Sequence, residues 1–151
     1  MKTWRIGLAL LALAILPFGM ESALADAKAE TRARNDYLLH CSGCHGQDGM
    51  GKPEKGIPRF EGQVGYFLRV PEGRAFLMQV PGLLSANMSD ERAAAVTSWM
   101  IRAFSGPSLP GDFVPYTAEE AARYRRMRPA EITAKRNQLY AELLALGYPL
   151  Q

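Results

Sequence analysis

Residues 40–51 read HCSGCHGQDGMG and hold both cysteines of the 151-residue chain and both of its histidines. Cys41 and Cys44 stand three apart and His45 follows directly. Three chemistries use such a set: a zinc site, a redox-active thiol pair, or covalent attachment of haem. A structural zinc ion needs four protein ligands in a tetrahedron, and a catalytic one needs three plus water. His40, Cys41, Cys44 and His45 would be the whole supply, crowded into six residues, and the usual second ligand pair is missing. A thioredoxin-like pair expects a strand before it and a sheet around it. The preceding stretch, AKAETRARNDYLLH, is instead made of helix formers with few β-branched side chains.

The remaining reading is haem attachment, which Cys-x-x-Cys-His specifies directly. Each thiol adds across one vinyl group of the porphyrin. Two intervening residues let both sulfurs reach the same side of the ring, and the next residue, His45, lies under the iron. Ser42 and Gly43 are small enough for the backbone to crowd the haem edge.

The start of the chain changes what free cysteines mean. Lys2 and Arg5 precede the short apolar run IGLALLALAILPFG, and Ala23–Ala25 supply small residues for cleavage. This pattern predicts a secretory signal peptide over 1–25, cleaved between Ala25 and Asp26, and a periplasmic product. Pro17 and Gly19 break the run short of the roughly 20 apolar residues of a spanning helix, so no stable membrane span is expected after cleavage. In an oxidising compartment two free cysteines pair unless something takes them. A bridge around two residues would constrain little of the unfolded chain. The formal net charge of +3 falls to about +2 without the leader, too mild to point to nucleic acid.

Elements must hold this motif in place. A polar helix over roughly 29–40 carries it at its end, with Tyr37, Leu38 and Cys41 sharing a face. The glycine- and proline-rich stretch 46–65 reads as an irregular loop over one haem face. RAFLMQVPG reads as a short helix ending before Pro81 and Gly82. The strongest helix follows: Ser89 as N-cap, Asp90 and Glu91 at the positive end, and Val96, Trp99, Met100 and Phe104 on one face. Trp99 would cover haem or pack on the first helix. Beyond a proline-rich connection, Thr117 and Glu120 form a capping box. A last helix runs from Pro129 towards Gly147, with Ile132, Leu139, Leu143 and Leu146 as its apolar stripe. The basic run Arg123, Arg125, Arg126 and Arg128 reads as a solvated face.

This order, with the stretch DYLLHCSGCHGQDGMG, resembles the class I c-type cytochromes. GIPRFEG is similar to that family's proline loop and MSDERAAAVTSWMIRAF to its last helix. More narrowly, VGYFL, GRAFLMQVPG, SD and WM are similar to a set of bacterial periplasmic cytochrome-like proteins, some encoded with periplasmic dehydrogenases. The resemblance spans roughly 29–104. It implies an all-α fold around one covalent haem c over 26–106, with an extra helical extension, 107–151, packed against it. Cys41 and Cys44 would be the thioether residues and His45 the proximal iron ligand, with Pro58 supplying the carbonyl that orients it. The sixth ligand departs from the family pattern, because residues 83–87, where its methionine usually lies, hold none. Met88 is the first candidate and Met78 the second, and an open sixth site is the third possibility. His40 abuts Cys41 on the proximal side and is poorly placed as a distal group.

The resemblance implies a periplasmic electron carrier rather than an enzyme. Its redox partners would be a periplasmic dehydrogenase and a cytochrome or oxidase. An open iron would instead imply a gas sensor or weak peroxidase. A third reading is a haem-bearing subunit that docks a larger dehydrogenase through the C-terminal helices.

Overall fold

The computed structural model describes residues 18–150, and these are helical, with one isolated antiparallel bridge between Lys52 and Ile57 and no strand. Lys2, Arg5 and most of the apolar run expected as a leader lie outside the described residues. None of the described helices is long and apolar enough to cross a membrane.

Helix α1, Phe18–His40, begins well before residue 29 and continues through the expected cleavage point. The stretch from Glu21 to His40 is rich in Ala, Glu, Lys, Arg and Leu and holds no glycine or proline to stop a helix, which explains the extra turns. A short turn, α2 (Ser42–His45), completes the motif. The loop after it contains 3₁₀ turns at Pro53–Lys55 and Val64–Arg69.

The segment expected as one short helix divides in two. Helix α3, Gly73–Leu77, ends before Met78, and α4, Pro81–Ser85, starts at the proline expected to act as a stop. Proline suits that first position, because its missing N–H would have no partner in the first turn anyway.

Helix α5, Asp90–Phe104, is capped by the Ser89 hydroxyl, which accepts from the Arg92 N–H at 3.4 Å. It packs on α1, where Arg92 meets Asp36 and Phe104 meets Tyr37, and Ala93, Ala94, Val96 and Ile101 of α5 and Ala33 and Tyr37 of α1 are buried. Trp99 packs on Tyr37, with ring centroids 5.4 Å apart, rather than covering the cavity described below. Helix α6, Ala118–Arg126, carries both bonds of the Thr117–Glu120 capping box. Arg74 forks onto Glu120 at 2.9 and 2.8 Å and joins α3 to α6.

Helix α7, Ile132–Ala145, buries Leu139 and Leu143 completely. It ends in a left-handed Gly147, with the Tyr148 N–H returning to the Leu143 carbonyl. Leu146, expected on the apolar stripe, is 62% exposed because that final turn carries it away from the core. Arg125 also departs from its expected place on a solvated face: its Nη1 donates to the Met88 carbonyl at 3.2 Å and to Asp90.

The α1–α5 contact is fastened by Asp36, whose buried carboxylate accepts from Arg92 Nε at 3.0 Å. Hydrogen bonding to Arg92 holds the Asp36 pKa below the ordinary carboxylate value, against the opposing pull of burial. The folded value lies below the unfolded one. Its stabilisation is therefore fully present above the unfolded carboxylate pKa, about 3.9, and is lost as pH falls through the folded value. Asp36→Asn should lower the thermal midpoint by several degrees at pH 7. Its melts should converge with those of the parent chain in strong acid.

Candidate functional site

The motif is a continuation of α1. The Cys41 N–H donates to the Tyr37 carbonyl at 2.9 Å, and the His45 N–H to the Cys41 carbonyl at 3.0 Å. Cys41, with φ −123°, joins α1 to the α2 turn, and that turn carries Cys44 and His45 within four residues of it. The Tyr37 hydroxyl donates to the Gly46 carbonyl at 2.7 Å and clamps the far end of that turn to α1. Cys41 is half-buried, Cys44 is exposed, and both thiols are free.

His45 is oriented by the loop it faces. Its Nδ1 lies 3.0 Å from the Pro58 carbonyl. A carbonyl only accepts, so Nδ1 carries the proton and the Nε2 lone pair is left free. The ring stacks on Phe60 with centroids 4.0 Å apart. Burial depresses the His45 pKa, more than the bond to Pro58 raises it, so the imidazole is neutral and able to ligate a metal at neutral pH.

Gly51 makes this approach possible. It has φ +64°, and a Cβ built there would lie 2.4 Å from the Pro58 oxygen. Its own N–H donates to the His45 carbonyl at 2.8 Å. Gly51→Ala should cost more than about 1 kcal/mol from backbone strain alone. It should also push away the carbonyl that holds the imidazole. Urea melts would show the loss of stability, and faster exchange of the His45 Nδ1 proton would show the lost bond.

The thiols and the imidazole open into a cavity of about 430 Å³, within the range of roughly 300–1,000 Å³ usual for small-molecule and cofactor sites. One wall is α1–α2, with Tyr37, Cys41, Cys44 and His45; a second is the loop 56–60. Val96, Thr97 and Met100 of α5 form a third, and Val64 and Phe67 fill between them. Phe76 and Leu77 of α3, with Val80–Leu83 leading into α4, form the remaining apolar wall. Ile132, Thr133 and Arg136 of α7 close the rim, where Arg136 donates to the Gly56 carbonyl at 3.3 Å.

The structure thus brings Cys41, Cys44, His45 and Pro58 to one cavity. His40 lines it as well. Met88 and Met78 are both buried but neither lines the cavity, whereas Met100 does. Sequence reasoning did not single out Phe60 as a backing for the imidazole, nor Arg136 at the rim. Neither carries a local signal: Phe60 is one aromatic in a glycine- and proline-rich loop, and Arg136 is one cation on a polar helix far along the chain.

The arrangement does not suit the two competing chemistries. Among the described residues no group of three or more His, Cys, Asp and Glu side chains is placed to hold a metal ion by itself. Redox-active thiol pairs depend on a lowered thiol pKa. Burial instead pushes the Cys41 thiol up to about 11, with the Asp36 and Cys44 charges adding to it. A neutral imidazole with a fixed tautomer, beside two thiols on the wall of an apolar cavity, is suited to a large flat apolar cofactor carrying a metal.

No family model matches the chain. Two curated relatives do. The chain is 30% identical over 145 residues to a cytochrome c-552 of Thermus thermophilus, covering 83% of this chain and 95% of that protein. It is 30% identical over 119 residues to a second Thermus thermophilus cytochrome c-552, covering 66% of this chain and 90% of that one.

Proposed function

The chain belongs to the class I c-type cytochrome family, and on that footing we propose that it is an exported one-electron carrier whose haem is held by Cys41, Cys44 and His45. The family's cofactor is one covalently bound haem c, and the residues at this cavity fit it. When bound, that group supplies an iron that cycles between ferric and ferrous.

The chain does the rest. Cys41 and Cys44 would each hold the cofactor through a thioether, S–H adding across a vinyl double bond, so that it would not be lost outside the cytoplasm. His45 would offer Nε2 to the iron. Pro58 fixes its tautomer and Phe60 its ring plane, an arrangement that raises ligand basicity. Val64, Phe67, Phe76 and Leu77 exclude water and so keep the charge change in a low-dielectric setting, which tunes the potential. Arg136 at the rim is a cation available to the cofactor's carboxylates. The exposed lining residues Cys44, Gly56, Pro81, Gly82 and Thr133 mark where the cavity meets solvent and where an electron would leave.

The observation that carries this reading is the 3.0 Å contact from His45 Nδ1 to the Pro58 carbonyl beside two free thiols. Export is supported by Lys2, Arg5, the apolar run after them and the small residues Ala23–Ala25. The partners would be a dehydrogenase outside the cytoplasm as donor and a cytochrome or oxidase as acceptor, through the small transient interfaces of redox exchange. A potentiometric titration of the purified protein tests the function. A reversible one-electron curve, with rapid exchange to a second cytochrome, is expected. An irreversible response, or a reduced form that no redox protein reoxidises, would refute the assignment.

A further inference from the structure

The methionines of the haem-binding part of the chain carry an inference that rests on the site proposed above. Met50 is exposed, on the loop directly after the motif. Met78 is completely buried, and Thr97, which does line the cavity, turns its hydroxyl towards the Met78 sulfur at 3.9 Å. Met88 is held by its backbone on both sides: its N–H donates to the Ala86 carbonyl at 2.8 Å and its carbonyl accepts from Arg125 at 3.2 Å. Its neighbour Ser89 caps α5, which makes Met88 an apolar residue just before an N-cap, a position that packs inward as a staple. Helix α4 takes up five of the ten residues between Met78 and Ser89, and Met88 lies in the short non-helical stretch 86–89, where those two backbone bonds hold it.

Among the described residues Met100 is the only methionine on the lining, and it sits on α5 one turn beyond Val96. Helix α5 packs on α1, so its wall adjoins Tyr37 and Cys41. The α3–α4 wall consists of Phe76, Leu77, Val80, Pro81, Gly82 and Leu83, with no side-chain nitrogen, oxygen or sulfur. Pro81 and Gly82 are exposed, so this wall reaches solvent.

We propose that the haem iron has no methionine ligand and that the apolar α3–α4 wall shapes a binding site for a small neutral diatomic ligand, carbon monoxide or nitric oxide. The chemistry of the wall selects neutral ligands. Its side chains offer no hydrogen-bond donor or opposite charge to offset the desolvation of an anion. Azide should therefore bind far more weakly than carbon monoxide or nitric oxide. The departure from the family's filled sixth position would add ligand binding to electron transfer.

The test is spectroscopic and uses the purified holoprotein. The ferric form should lack the far-red charge-transfer band of thioether–iron ligation and should be high-spin. The dithionite-reduced form should take up carbon monoxide near stoichiometrically, with a shifted Soret band. Met78→Leu and Met88→Leu, both close in volume, should leave both spectra unchanged, and Met100→Leu, on the cavity wall, should leave the far-red region without a thioether band as in the parent protein. A thioether band in the parent protein would overturn the proposal even if a variant failed to fold, and its loss in one variant would identify the ligand. A low-spin ferric iron that resists carbon monoxide after reduction would overturn it too. A pyridine haemochrome assay on the same sample reports covalent haem independently. Its failure would remove the underlying site, whereas its success with a thioether band would remove only this inference.

Discussion

His45→Ala should leave haem tethered through Cys41 and Cys44 but take away the nitrogen proposed to hold its iron. Water or hydroxide would then occupy the vacated side. Hydroxide is an anionic oxygen donor that favours the ferric state, so the reduction potential should fall by on the order of 0.1 V or more. Potentiometry gives the fall, and the ferric absorption spectrum gives the change of ligand. The same substitution opens a void bounded by Phe60 and the Pro58 carbonyl, the two groups that now hold the ring. Added imidazole should enter that void and restore much of the spectrum and the potential. A residue needed only for packing would show no such rescue. An unchanged potential in His45→Ala would remove His45 from the iron.

Tyr37→Ala should cause the largest loss of stability of any single change in the α1–α5 contact. Tyr37 is fully buried and its ring lies 5.4 Å from Trp99 and 5.0 Å from Phe104. Truncating a buried aromatic of this kind costs about 3–5 kcal/mol. Tyr37→Phe separates packing from hydrogen bonding. It keeps the ring contacts but leaves the Gly46 carbonyl without its donor, a loss of about 0.5–1.5 kcal/mol. Guanidinium unfolding of the holoprotein measures both. If alanine cost less than the hydroxyl alone, α1 would not be anchored to α5 through this ring.

Much of the site was legible because its chemistry is local. Cys41, Cys44 and His45 are neighbours on one turn, and Ser89 and Thr117 announce their helices within four residues. Pro58 was reachable only through the family resemblance, since its carbonyl meets His45 across thirteen positions and proline carbonyls carry no signal of their own. Other features depend on long-range packing that no local pattern encodes. Pro81 could stop one helix or start the next, and only the burial of Leu83 shows the second. Leu146 fits the helical stripe but falls on the turn that unwinds at Gly147. Arg125 sits in a basic run along the chain, yet in space it meets Asp90 and the Met88 carbonyl. The same distance effect hid the part of α7 in the cavity. Ile132, Thr133 and Arg136 reach residues some eighty positions earlier only because Leu139 and Leu143 bury that helix against α3 and the 64–69 turn.

Intact-mass spectrometry of the denatured, solvent-extracted protein bears most directly on the central claim. The chain should weigh its polypeptide mass plus a single haem, and the Cys41→Ser, Cys44→Ser double variant should weigh the polypeptide alone. A native chain that runs at its bare polypeptide mass, with any pigment lost to the solvent, would contradict the account.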